Sequence, residues 1–222
     1  GISVLASGTA QKLLKPINLT LLNLNFIANN IEEDNPVFDY INSIKTEMAQ
    51  LKTISDQLMN LSNTQDKTSE IIDLKEIIEQ PPINNLLLRT IKKGYTVNKK
   101  FPSKSVCIMA SKNNIIEILI VLINNAIDAM PDQNEELSIV IEEAKKDGHT
   151  FASISIIDTG LGIPEEKLAK VFEPFYSTKG KSSGLGLLIV YSLINELNGR
   201  IGIKSKPGKG TTVKIVLPVH EK

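Results

Sequence analysis

Four β-like runs in the second half of the chain limit its fold most strongly. They are LSIVIEEA (137–144), FASISIID (151–158), GRIGIKS (199–205) and TTVKIVLP (211–218). Each alternates apolar with polar residues or is rich in β-branched ones. A helical pattern from Leu187 to about Leu197 lies between the second and third runs. A second helix is expected from about Asn113 to Met130, with Ser111 able to cap it, and it contains the apolar run IEILIVLI. Upstream, EIIDL, YTVNKKF and SVCIM are strand candidates, and PPINNLLLRTIKKG reads as a helix closed by Gly94. The fold class expected is α+β, an α/β sandwich with helices on one face of a mixed sheet.

The first sixty or so residues read differently. Apolar residues at Ile41, Ile44, Met48, Leu51, Ile54, Leu58 and Leu61 form a seam on one helix face. Asp34 or Asn35 can cap this helix, and Pro36 fits its first turn. An earlier helix is apolar at Leu5, Leu13, Ile17, Leu21, Leu24, Ile27 and Ile31, with Pro16 expected to kink or loosen it. The short connection predicts an antiparallel pair. Such a hairpin either packs on the rest of the chain or dimerises into a four-helix bundle. The length and regularity of the second seam favour the bundle. SNTQDKTSE (62–70) is polar and aperiodic and reads as a linker, so the domains expected are 1–66 and 67–222.

Composition excludes some classes. The 25 basic and 25 acidic residues cancel, so no polyanion footprint is visible and no nucleic-acid partner is expected. The single Cys107 cannot form an internal disulfide, which fits a reducing compartment. No run approaches the ~20 apolar residues that span a bilayer, so no membrane contact is expected of this chain. The first residues already follow a helical pattern without a start signal, as in a piece of a longer protein. A cytoplasmic location is expected, with the parent protein free to be membrane-anchored elsewhere.

Chemistry concentrates in four segments. NNAIDAM (124–130) ends the apolar helix with two amides. Burying an amide without a partner costs free energy, so Asn124 or Asn125 should meet something polar; the alternative is a solvated last turn. IIDTGLGIP (156–164) ends a strand on Asp158 and follows it with Gly160 and Gly162, where backbone can approach a ligand closely. A carboxylate there could accept from an exocyclic amine. VFEPFYSTKGKSSGLGLLIV (171–190) has Phe172 and Phe175 flanking Pro174, a basic loop with Lys179 and Lys181, and then Gly184 and Gly186 opening a helix. Backbone N–H groups at such a terminus suit an anion. SKPGKGTTVKIVLP (205–218) reads as a hairpin around a glycine turn.

In this order, Asn125–Ala126, Asp158–Gly160–Gly162, Phe172–Phe175 and Gly184–Gly186 resemble the N, G1, F and G2 boxes of sensor histidine kinases. That family shares an ATPase superfamily with gyrase and the Hsp90 chaperones. The match runs from about Glu117 to Pro218, and the hairpin resembles the dimerisation and histidine-phosphotransfer domain. The resemblance implies ATP and Mg²⁺ as cofactors. Asn125 would bind Mg²⁺, and Asp158 would accept from the adenine amino group in a pocket shaped by Gly160 and Gly162. Phe172 and Phe175 would anchor a lid. Lys179 and Ser183 would approach the phosphates, and Gly184, Leu185 and Gly186 would present backbone to them. Asp128 is a weaker candidate on the phosphate side. The implied chemistry is γ-phosphoryl transfer to a histidine nitrogen and then to a response regulator.

One stretch departs from the family. Its first helix carries a motif close to H-E-x-x-N-P, and here the aligned residues are QKLLKP, Gln11 to Pro16. Gln11 stands at the phosphoacceptor position and cannot accept a phosphoryl group. Lys12 replaces the acid that assists the transfer, and Lys15 replaces the Asn. A single His→Gln exchange accounts for Gln11 but not for Lys12, Leu14 and Lys15, which favours natural divergence. Val121 and Ser182 also depart from the family pattern, without removing the metal ligand or the adenine acceptor. The only histidines, His149 and His220, are expected to be solvated. Two functions remain open. One is a kinase core that phosphorylates a histidine on a partner, or pairs with an intact kinase. The other is a non-catalytic dimeric switch, or a dock for a response regulator. A serine-directed kinase of the same superfamily fits poorly with the hairpin and its in-place proline.

Overall fold

A computed structural model of the chain describes residues 2–32, 35–60, 69–131, 135–174, 176–177 and 184–220. They form two compact units, one made of the N-terminal helices together with Gly184 and Leu185, and one holding every strand. In the first unit, α1 (Ile2–Ala28) and α2 (Val37–Asn60) contact each other. Ile17, Leu24 and Ile41 are buried, while Leu13, Ile27, Ile44 and Leu51 remain exposed. The cap of α2 is Asn35, whose Oδ1 accepts from the Val37 amide at 2.9 Å; Asp34 lies outside the described residues. Pro16 does not end α1, which continues through it.

In the second unit, β1 (Glu70–Asp73) leads into the short α3 (Leu74–Ile78) and then α4 (Pro81–Lys92). β2 (Thr96–Lys100), β3 (Cys107–Ala110), α5 (Lys112–Asp128), β4 (Glu136–Lys146) and β5 (His149–Asp158) follow. α6 (Glu165–Leu168), α7 (Gly186–Glu196), β6 (Arg200–Lys206) and β7 (Gly210–Pro218) complete it. The main sheet has the order β2-β4-β5-β7-β6, parallel only at β2–β4. The mixed sheet is as expected, and a second, smaller sheet accompanies it. Among the described residues, β1 and β3 pair only with each other, as a separate antiparallel ribbon. Their strand character was readable, but the partner of a strand is not a local property.

Period-2 alternation builds the sheet's inner face. Leu137, Ile139 and Ile141 of β4, Ala152, Ile154 and Ile156 of β5, and Val213, Ile215 and Leu217 of β7 are all buried. Buried beside them are Ile115, Ile118, Leu119, Leu122 and Ile123 of α5 and Ile189, Val190, Leu193 and Ile194 of α7. Each such side chain removed from water contributes roughly 2 kcal/mol. The row that buries Ile154 and Ile156 ends on Asp158, which is therefore delivered to the same inner side. Ser111 occupies the N-cap of α5 with extended backbone, but its side chain makes no capping bond. A two-residue turn, Asp147 and Gly148, both at positive φ, joins β4 to β5.

Asp73 caps α3. Its carboxylate accepts from the Lys75 amide at 2.8 Å and the Glu76 amide at 3.4 Å, and from the Ser105 hydroxyl. Burial pushes its pKa up, but the Ser105 bond, the two amides and the Lys75 charge together hold it below the ordinary 3.8. A depressed carboxylate gives stability that is complete above its unfolded pKa and lost as pH falls through the folded one. Thermal unfolding should therefore separate wild type from Asp73→Ala at neutral pH, with the gap closing below about pH 4. A gap that persists in acid would rule this out.

Candidate functional site

The site grows from the end of β5. Asp158 is only 5% exposed, and its Oδ1 accepts from the Gly160 amide at 3.0 Å and the Thr211 amide at 3.1 Å. Two backbone donors, one in the loop after β5 and one in β7, thus fix the carboxylate's orientation. The glycines after it are there for space. A Cβ on Gly160 would lie 2.1 Å from the Ala129 carbonyl oxygen at the end of α5. A Cβ on Gly162, which sits at φ 69°, would lie 2.1 Å from the Lys206 carbonyl oxygen. Between them, the Leu161 amide donates to Ala129 O at 2.9 Å, and its carbonyl accepts from the Gly208 amide at 2.8 Å. The loop after Asp158 is thereby pinned between the end of α5 and the β6–β7 turn. Ser205 adds a further tie: its Oγ accepts from the Ile163 amide at 2.7 Å and donates to Gly210 O at 2.9 Å.

Asn125 and Asp128 lie in the last turn of α5. Asn125 is half-buried; Asn124 and Asp128 are exposed. α7 begins at Gly186, where a Cβ would meet Val121 Cγ1 at 3.1 Å. Val121 and Asn125 are one helical turn apart on the same face of α5. The α7 N-terminus therefore packs on the face of α5 that also carries Asn125. Gly184 precedes α7 at φ 67°, and Leu185 is buried. The Phe172 ring packs on Tyr191 of α7, centroids 5.5 Å apart and tilted by 47°. Phe175, Lys179 and Ser183 fall outside the described residues. Gln11 and Lys12 lie within α1, in the other unit.

Electrostatics at the site's edge come from Glu136. Its Oε1 accepts from Ser138 Oγ at 2.9 Å and Asn98 Nδ2 at 2.7 Å, and these bonds hold its pKa below the ordinary range. Its amide and carbonyl pair with Thr159, the residue after Asp158. Thr211, Gly210 and Ser205 belong to the site although their stretch of sequence has only the pattern of a hairpin turn, and Tyr191 likewise lies outside the four expected segments' key residues. The threonine pair closing that glycine turn was the only local signal. Neither histidine lies in the assembled site: His149 is exposed beside the β4–β5 turn. His220 is half-buried, against the solvated position expected, because its amide donates to Cys107 O at 2.8 Å and draws it against β3.

Residues 110–221 match the family described as histidine kinase-, DNA gyrase B-, and HSP90-like ATPase. Sporulation kinase C of Bacillus subtilis (strain 168) is 32% identical over 98% of this chain and 49% of its own length. The chain spans about half or less of the curated relatives it matches. Among solved structures, the catalytic domain of histidine kinase ThkA is 26% identical, with a TM-score of 0.59 over 68% of this chain and 95% of that one. Two others share the fold at lower identity. Full-length ShkA in complex with AMPPNP is 18% identical, with a TM-score of 0.74 over all of this chain and 47% of that one. ThkA in complex with response regulator protein TrrA is 21% identical, with a TM-score of 0.68 over 97% of this chain and 61% of that one. No described helix is long and apolar enough to cross a membrane. With Asp158, its glycines and the α7 terminus arranged on this fold, the chain belongs to the histidine kinase-, DNA gyrase B-, and HSP90-like ATPase family and carries the catalytic core of a sensor histidine kinase.

Proposed function

We propose that this chain binds Mg·ATP, cannot phosphorylate its own first helix, and serves two-component signalling by acting on or through a partner. Asp158 carries the reading: a buried carboxylate, fixed by two amides beside backbone whose close packing excludes side chains. It accepts from the exocyclic amine of adenine, with Gly160 and Gly162 shaping the pocket. The α7 N-terminus at Gly184, Leu185 and Gly186 faces the phosphates, a use to which helix N-termini are suited. Phe172, seated on Tyr191, and Phe175 anchor the lid, while Lys179, Ser183 and Asp128 belong to the phosphate side. Among the described residues, no cluster of three His, Cys, Asp or Glu could hold a metal. Asn125 fits Mg²⁺ nonetheless, because its amide oxygen is a hard ligand and this ion commonly shares its remaining positions with phosphate oxygens and water. When bound, the ion would neutralise charge on the phosphates.

The N-terminal unit is read as residues 1–66, a helical hairpin that pairs with a second copy, or with an intact kinase, to form a four-helix bundle. The exposed Leu13, Leu19, Leu22, Phe26, Tyr40, Ile44 and Leu51 support that reading. Residues 67–222 are the nucleotide domain. The partner is a response regulator or a phosphotransfer protein, as the ThkA–TrrA complex suggests. Gln11 favours a second reading, a non-catalytic nucleotide-dependent switch.

Isothermal titration tests the first step. Wild type should bind Mg·ATP, and Asp158→Asn should weaken binding about 10–100-fold, the value of one charge-assisted hydrogen bond. The substitution is mild for the fold, since an Asn oxygen can still accept from Gly160 and Thr211 while an NH₂ group replaces the other oxygen. A wild type that takes up no nucleotide would sink the proposal.

A further inference from the structure

We infer that Tyr95 is a positioning residue that sets base selectivity by holding the end of α5 against the loop after Asp158. The inference rests on the adenine reading above. Tyr95 lies between α4 and β2, half-buried, and its hydroxyl donates to the Met130 carbonyl at 2.8 Å. Met130 follows Ala129, the C-cap of α5. Carbonyls at a helix C-terminus have no partner within the helix and must find one elsewhere. Here Ala129 O takes the Leu161 amide at 2.9 Å, and Met130 O takes the Tyr95 hydroxyl.

Ala129 O is also the atom 2.1 Å from where a Gly160 Cβ would be. The Ala129–Met130 turn is therefore the seat of Gly160 and Leu161, and the Gly160 amide is one of the two donors that orient Asp158. A hydrogen-bonded path runs from the Tyr95 hydroxyl through that turn to the carboxylate. The α7 N-terminus packs on Val121, about two helical turns earlier in α5. Loss of the hydroxyl leaves a carbonyl without its donor and loosens the seat. A cost at Asp158 is felt by adenine alone, while a cost at Asn125, in the same last turn of α5, is shared by both nucleotides and leaves their ratio unchanged.

The test is titration of wild type and Tyr95→Phe with Mg·ATP and with Mg·GTP, whose base lacks the amine Asp158 accepts from. Wild type should prefer ATP. Tyr95→Phe should weaken ATP about fivefold, the size of one neutral hydrogen bond, and leave GTP within about twofold. A merely structural role would reduce the folded fraction and weaken both nucleotides alike, leaving the ratio unchanged; that result overturns the inference. Hydrogen exchange in the nucleotide-free protein gives a second readout. The Leu161 amide should exchange faster in Tyr95→Phe, and equal protection also overturns the inference. A wild type that binds no ATP, or binds ATP and GTP equally, brings down the adenine reading and this inference together. An unchanged preference in Tyr95→Phe brings down this inference alone.

Discussion

Gly210→Ala should lower the melting temperature by about 12 °C and remove nucleotide binding, whereas Gly208→Ala should cost only about 3 °C. Both glycines sit at positive φ, 86° and 68°, in the β6–β7 turn. An alanine at either pays the left-handed penalty of about 1 kcal/mol. They differ in their surroundings. A Cβ on Gly208 meets nothing within 4 Å. A Cβ on Gly210 would lie 1.9 Å from the Asp158 carbonyl oxygen and 2.8 Å from Thr159 Cα. These are backbone atoms of the β5 end, locked by the Asp158–Thr211 register and by Thr211's bond to the carboxylate. They cannot rotate away as a side chain would, so β5 and β7 must part locally, at a cost of about 3 kcal/mol more. For a chain of this length each kcal/mol moves the midpoint by about 2–4 °C. The displaced atoms carry Asp158, so binding fails with the strand pairing. Circular dichroism melts of the two variants, with titration of Mg·ATP, check this. Equal melting losses would show that φ alone sets the cost.

Much of this arrangement was legible because it is local. Period-2 and β-branched runs marked β4 to β7, and the second of them showed a strand ending on Asp158, while the carboxylate's burial on the inner side came only with the fold. Asp158–Gly160–Gly162 was readable as a turn where backbone can approach a ligand closely, a weak signal taken alone because Asp and Gly are common in turns of every kind. The atoms that need the space, Ala129 O and Lys206 O, were not readable. Thr211 is 53 positions from Asp158, and Tyr95 is 35 from Met130. Nothing in the short-range pattern of either segment names its partner, and the Tyr95 bond goes to backbone, which leaves no residue preference behind. The same limit hid the β1–β3 ribbon. In α2 the apolar seam predicted one face, yet Ile44 and Leu51 stay exposed in a single chain. Periodicity identifies an apolar face without saying what covers it.

The isolated protein incubated with γ-labelled Mg·ATP should carry no acid-labile label. A histidine acceptor works because imidazole offers a nitrogen lone pair in the ring plane, together with a neighbouring acid that manages the proton. At position 11 the lone pair of the Gln amide nitrogen is delocalised into its carbonyl, and position 12 brings a basic side chain where the family has an acid. The chain's two histidines are not substitutes: His149 lies at the β4–β5 turn, and His220 is held by its amide at β3. Restoring the acceptor separates these effects. Gln11→His alone supplies the nucleophile without its proton partner. Gln11→His with Lys12→Glu supplies both, and should label about 10²–10⁴ times faster than the single variant, the usual range for general acid–base assistance. Equal rates would mean that position 12 plays no part in the transfer. Label on a histidine of the wild type would overturn the degenerate-acceptor reading. If the double variant stays unlabelled while still binding Mg·ATP, the barrier lies beyond these two residues, and the nucleotide-dependent switch becomes the better account of the chain.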